Sequence, residues 1–197
     1  MRMARTTGFE GRDIARIAVF AAIIIALGIV GPIPGPVGVP ITAQTLGVML
    51  AGAVLGWRRG AAAVLVVLVL VAVGLPVLSG GRGGLGVFAG PTAGYVLGWV
   101  LGAAVVGLIA HGGGRRLRWW RVAIACVVGG ILAIYAVGVP VQALVMGLPL
   151  GEAALSSLVF LPGDLIKAAV ATVLVVAVHR AYPVAFGSSR PAAAARG

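Results

Sequence analysis

Leu161-Pro162-Gly163-Asp164-Leu165-Ile166-Lys167-Ala168-Ala169-Val170-Ala171-Thr172-Val173-Leu174-Val175-Val176-Ala177-Val178-His179-Arg180 is the stretch on which the fold turns. Proline and glycine open it, an apolar run follows and basic residues close it, which predicts one helix over about 161–181. A run of this length can cross a hydrocarbon core about 30 Å thick, which takes roughly 20 residues. Near its start stand two ionisable side chains, Asp164 and Lys167, at positions i and i+3 of one helix face. Ionisable groups in a membrane segment are costly and mark candidate functional sites.

The rest of the chain repeats the apolar pattern. Of its 197 residues 61% are hydrophobic and 10% charged, with a mean hydropathy of +1.15. Soluble domains carry about 25% charged residues, so the sequence reads as one integral membrane domain. The net charge of +11 is spread in short clusters between apolar runs, a pattern of cytoplasmic loops rather than of a nucleic-acid groove. The single cysteine, Cys126, excludes an intrachain disulfide and reads as a small hydrophobe in an apolar stretch. Arg2, Arg5, Arg12 and Arg16 before the first apolar run resemble the start of a signal peptide. That run instead leads into Gly31-Pro32-Ile33-Pro34-Gly35-Pro36 and five more apolar segments, so it is read as a retained span.

Six transmembrane helices are expected, at about 14–30, 40–57, 60–77, 91–110, 121–147 and 161–181. Together they make an all-α, multi-pass bundle over 14–182, with a cytoplasmic segment at 1–13 and a disordered cytoplasmic tail at 183–197. Pro140 is expected to interrupt the fifth helix, whose far end then kinks or runs along the interface. Arginines fall before helix one, in the turn after helix two (Arg58, Arg59), after helix four (Arg115, Arg116, Arg118, Arg121) and after helix six (Arg180, Arg190, Arg196). The alternate loops hold only Arg82 and Glu152, so the positive-inside rule puts both termini in the cytoplasm. Trp119 and Trp120 beside a basic cluster read as interfacial anchors. The three outward loops, about 31–40, 76–90 and 146–163, are the glycine- and proline-rich ones, and a site built there faces the external medium.

Four features carry candidate chemistry. Asp164 lies in the first turn of its helix, where the dipole favours a carboxylate, and capping with Lys167 as its salt-bridge partner is the plain alternative. A mid-helix lysine costs on the order of 2.5–3.5 kcal/mol by insertion scales, which favours a binding role over a cap alone. Pro40-Ile41-Thr42-Ala43-Gln44-Thr45-Leu46 supplies Thr42 as a plausible N-cap, and Gln44 and Thr45 as polar groups in an apolar segment. The glycine run from Ser79 to Tyr95 lacks the Gly-Lys-Ser/Thr of a phosphate-binding loop. It reads as a mobile lid, with a flexible connector as the alternative, and Phe88 and Tyr95 are able to stack on a ring. Ala18, Ala22 and Ala26 form a small-residue stripe that admits another helix; spacing alone slightly favours packing inside the bundle.

Other functions are disfavoured. His111 and His179 sit singly at cytoplasmic helix ends, and the four acidic residues form no metal or catalytic cluster. An intramembrane enzyme with Asp164 as general base is therefore a remote alternative, and a channel lacks repeated polar rings.

Three ordered motifs resemble a known family. They are Pro40-Ile41-Thr42-x-Gln44-Thr45-Leu46-Gly47-Val48-x-Leu50-Ala51-Gly52, Gly83-Gly84-Leu85-Gly86-Val87-x-x-Gly90-Pro91-Thr92-x-Gly94-Tyr95 and Leu161-Pro162-Gly163-Asp164-x-x-Lys167. They are similar to the BioY family, the biotin-specific substrate-binding (S) components of energy-coupling factor (ECF) transporters, over about Arg12 to Arg180. The resemblance implies a six-helix S-component bundle in the cell membrane, binding one biotin near the extracellular side and needing no other cofactor. It implies a lid from the loop before helix four and polar contacts from Asp164 and Lys167. It also implies that the Ala18-x-x-x-Ala22 face meets a transmembrane coupling subunit driven by two cytoplasmic ATPases. The expected substrate-binding set is Asp164, Lys167, Gln44, Thr42, Tyr95, Phe88, Gly90, Thr92 and Arg82, with Ala18, Ala22 and Ala26 as the partner face. Asp164 is expected to accept from the ureido N–H groups, Lys167 to support it, Gln44 or Thr42 to add a hydrogen bond, and Tyr95 to pack on the bicycle. Arg82 meets the biotin carboxylate or is solvated. The same architecture selecting riboflavin or thiamine is the close alternative.

Overall fold

A computed structural model describes residues 10–35, 39–112 and 117–182. The expected disordered tail at 183–197, and most of the expected cytoplasmic segment at 1–13, lie outside the described residues. The chain is all-helical: α1 Gly11–Ile29, α2 Gln44–Leu55, α3 Trp57–Ala72, α4 Ala93–His111, α5 Trp119–Met146, a short α6 Leu150–Ser157, and α7 Leu161–Ala181. By length and apolarity, α4, α5 and the continuous stretch Leu150–Ala181 are each able to cross a membrane. α1 has 19 residues but begins with charged ones, while α3 has 16 and α2 only 12.

Four expectations change. The break between α2 and α3 is a single residue, Gly56, at φ 81°. Arg58 and Arg59 therefore belong to the first turn of α3 rather than to a connecting turn. Thr42 is not an N-cap: Ala43 occupies that position, and no side chain caps α2. Pro140 does not interrupt α5, which continues to Met146. The irregularity lies earlier, in a π-helical turn over Val128–Ala133 that contains Gly129 and Gly130. Finally, part of the loop before α7 is itself helical, as α6.

Glycines set how closely the helices approach. Gly94, Gly98 and Gly102 recur every fourth residue on α4. A β-carbon on them would come within 2.5 Å of Val141, 3.0 Å of the Ile134 carbonyl oxygen and 2.7 Å of the Ile134 side chain, all on α5. With no hydrophobic drive between helices in lipid, such backbone-to-backbone packing is what holds a bundle together. α5 answers with Gly138 against the Tyr95 ring and Gly130 against Met49.

The short α2 leaves room above its first turn. Residues 39–43 fill part of it as non-helical chain, pinned by a two-way backbone bridge between Ile33 and Ile41 at 3.0 and 2.9 Å. This end of the bundle also carries the start of α4, the end of α5 and the start of α7. The opposite end carries most of the described basic residues, and there Asp13 of α1 meets Arg59 of α3 at 2.9 Å.

Gly138→Ala forces a methyl group into the Tyr95 ring. It is expected to destabilise the protein by about 1–3 kcal/mol, read as a lower thermal unfolding midpoint in detergent. Gly151→Ala, which meets nothing within 4 Å, is expected to leave the midpoint unchanged or raised.

Candidate functional site

A cavity opens at the end of the bundle away from most of the basic residues, about 610 Å³ when counted out to its open mouth. Its walls come from the 39–45 segment, the α3–α4 connection, α4, the π-helical turn and following residues of α5, and the start of α7. Most of the lining is apolar or aromatic, with a few convergent polar groups, as in small-molecule sites.

Asp164 and Lys167 both line the cavity and form a buried ion pair of 2.7 Å, their side chains 7% and 15% exposed. The Lys167 ammonium also donates to the Thr42 carbonyl at 2.7 Å and to Thr45 Oγ1 at 2.9 Å. An ammonium has three N–H donors, so all of them are used inside the protein. Lys167 therefore anchors rather than presents a donor. The other Asp164 oxygen accepts from Tyr135 Oη at 2.6 Å. Each carboxylate oxygen has two acceptor directions, so one on each stays available to a guest.

Arg82 supplies the third charged side chain on the cavity wall. Its Nε donates to the Ser79 carbonyl and its Nη1 to Thr92 Oγ1, both at 3.3 Å, which leaves three of five N–H donors for a ligand. Partial burial lowers its pKa from the ordinary arginine value, yet a guanidinium stays charged at neutral pH. Tyr95, Trp99, Tyr135 and Phe160 make the aromatic wall. The Tyr95 ring stands edge-on to Tyr135 at 6.0 Å and to Phe160 at 6.3 Å. Its hydroxyl donates to Gln142 Oε1 at 2.7 Å and lies 2.6 Å from Ser157 Oγ, tying the wall to α6.

Of the nine expected binding residues, seven line this cavity: Asp164, Lys167, Gln44, Thr42, Tyr95, Thr92 and Arg82. Phe88 and Gly90 are not on its wall; Phe88 packs against the hydrophobic core instead. Gln44 borders the cavity with its amide committed elsewhere. Its nitrogen donates to Ile24 and Val77 carbonyls at 3.2 and 3.1 Å, and its oxygen accepts from the Ser79 amide at 2.9 Å. It joins α1, α2 and the α3–α4 connection.

Tyr135, Trp99 and Gln142 were not singled out from the sequence. Tyr135 and Gln142 stand seven apart, hence on one face of an apolar helix, and that spacing was the available signal. The alanine stripe corrects its spacing-based reading: Ala18, Ala22 and Ala26 are exposed, while Ile17, Ala21, Ile24 and Gly28 pack inward. Among the described residues no cluster of metal-ligating side chains occurs.

A family model described as the BioY family matches residues 3–184. The chain is 53% identical over 178 residues to the biotin transporter BioY of Rhizobium etli, covering 87% of this chain and 95% of that one. It is 52% identical over 172 residues to the biotin transporter BioY of Rhodobacter capsulatus, covering 81% and 88%. A crystal structure of the S-component for biotin from an ECF-type ABC transporter superposes with a TM-score of 0.83 at 33% identity, over 93% of this chain and 100% of that one.

Removing one partner of a buried ion pair costs about 3–5 kcal/mol, whereas replacing both costs far less. Lys167→Met is therefore expected to lower the thermal midpoint more than the double variant Asp164→Asn/Lys167→Met. A loss in the double variant equal to the sum of the losses in Lys167→Met and Asp164→Asn alone would show that the groups are not coupled.

Proposed function

This chain belongs to the BioY family, and we propose that it is the biotin-binding S component of an ECF-type uptake system in the cell membrane. The observation that carries this reading is the saturated Lys167 ammonium, which holds the Asp164 carboxylate oriented with acceptor directions to spare. Biotin offers what that carboxylate needs: a ureido ring with two N–H donors. Asp164 accepts from them, and the Tyr135 hydroxyl keeps the carboxylate from rotating. Thr42 offers a hydroxyl to the ureido carbonyl. Tyr95, with Trp99 and Phe160, packs on the bicycle, while Arg82 takes the valerate carboxylate. Gln44 contributes by fixing the cavity floor rather than by touching the ligand. Phe88, Gly90 and the rest of the glycine-rich connection act as the lid.

The basic residues at one end of the bundle support an N-in, C-in orientation, with the cavity opening outward. The exposed Ala18, Ala22 and Ala26 stripe lets a helix of the transmembrane coupling subunit approach closely, and two ATPase subunits supply the energy. The relatives are transport proteins, so this chain binds and delivers rather than catalyses. Riboflavin or thiamine is not favoured, because relatives at 53% and 52% identity are named for biotin.

Losing a hydrogen bond to a charged group costs about 1.5–3 kcal/mol, so Asp164→Asn is expected to weaken biotin binding roughly tenfold to a hundredfold by calorimetric titration. Affinity near wild type would sink the assignment. Arg82→Gln is expected to weaken biotin but not its methyl ester; equal weakening of both would remove Arg82 from the carboxylate.

A further inference from the structure

The charges of this chain do not balance internally. Fifteen lysine and arginine side chains face four carboxylates. Glu152 and Asp164 lie at the cavity end, and Asp164 is paired with Lys167 at 2.7 Å. Glu10 and Asp13 lie at the start of α1, and Asp13 is paired with Arg59 at 2.9 Å. Among the described residues no ion pair joins a carboxylate to Arg118 or Arg180 at the basic ends of α5 and α7.

Those two ends frame an open groove lined by Arg118, Trp119, Trp120, Val176, His179 and Arg180. Arg118 and Arg180 are exposed, and Trp119 and Trp120 are 66% and 42% exposed. Two exposed indoles on a membrane bundle sit at the level of the lipid headgroups. Arg121 stacks over the Trp120 ring at 5.8 Å, which helps to fix that indole in place. Beyond the groove, Ile124 on α5 and Leu174 and Val178 on α7 are exposed and apolar. The groove therefore pairs guanidinium groups with an adjoining greasy flank.

We propose that this groove binds the headgroup phosphate of an anionic phospholipid. Arg118 and Arg180 hold the phosphate oxygens, the indoles sit at the boundary between headgroup and acyl chain, and the acyl chain lies along Ile124, Leu174 and Val178. Guanidinium donors match phosphate oxygens in pairs, and the apolar flank selects a lipid over a free anion. The site stands apart from the cavity and does not depend on what the cavity binds.

The test uses the full chain purified in detergent, titrated with phosphatidylglycerol, phosphatidylcholine or inorganic phosphate and read by native mass spectrometry. Wild type is expected to retain phosphatidylglycerol in preference to phosphatidylcholine. Arg118→Gln/Arg180→Gln is expected to lose about twenty-fivefold in affinity, about fivefold per arginine, while Arg12→Gln loses none. Wild-type retention by the double variant, equal retention of phosphatidylcholine, or displacement of the lipid by inorganic phosphate would each overturn the proposal. Monodisperse elution checks the fold of the variants. As a measurement on wild type alone, brominated phosphatidylglycerol is expected to quench tryptophan fluorescence more than brominated phosphatidylcholine at equal mole fraction; equal quenching counts against the site.

Discussion

A lysine ammonium inside an apolar bundle needs an acceptor for each of its three protons, and that requirement organises the cavity end of this protein. Lys167 meets it with Asp164 on its own helix, Thr45 at the start of α2 and the Thr42 carbonyl in the segment before α2. One side chain thereby fixes where α7 sits against α2 and holds the non-helical 39–43 segment open as a cavity wall. The same bonds orient the Asp164 carboxylate, held on its other oxygen by Tyr135, with acceptor capacity facing the cavity. A helix cap alone would require none of this, since α7 has its carboxylate in the first turn whether or not a lysine is buried beside it.

The cavity exists because backbone irregularity is confined to one region. α2 is short, and the chain before it is irregular yet bonded through Ile33 and Ile41. α5 widens into a π-helical turn where Gly130 reaches the cavity wall. Irregular backbone at membrane depth is tolerated where it is buried or lines a cavity, and this protein follows that rule. Elsewhere the helices are drawn close by glycines, so that the contact between α4 and α5 is rigid where the aromatic wall is mounted. Gly138 is the clearest instance: its missing side chain is the space that the Tyr95 ring occupies.

The two ends of the bundle differ in how they handle charge. At the cavity end a carboxylate and an ammonium satisfy each other, and a guanidinium is held by Ser79 and Thr92 with donors to spare. At the other end positive charge accumulates with few acids to meet it, beside exposed tryptophans. The first arrangement suits a small ligand with N–H donors and a carboxylate. The second suits a membrane surface.

The sequence by itself determined the membrane class, the approximate helices, the polarity of the two ends and the central importance of Asp164 and Lys167. These rest on local quantities: apolar run length, charge placement and the i, i+3 geometry of one helix. It did not determine which polar groups meet. Lys167 reaches residues 125 and 122 positions away, Tyr135 reaches Asp164 across 29, and Gln44 reaches partners across 20, 33 and 35. α2, α4 and α7 are apolar nearly all round, so hydrophobic periodicity gives no sign of which face turns inward. That rotation decides whether Gln44, Tyr95 and Asp164 border the cavity. Only the packed bundle fixes it, because glycine contacts and buried hydrogen bonds between distant segments set the register of each helix against its neighbours.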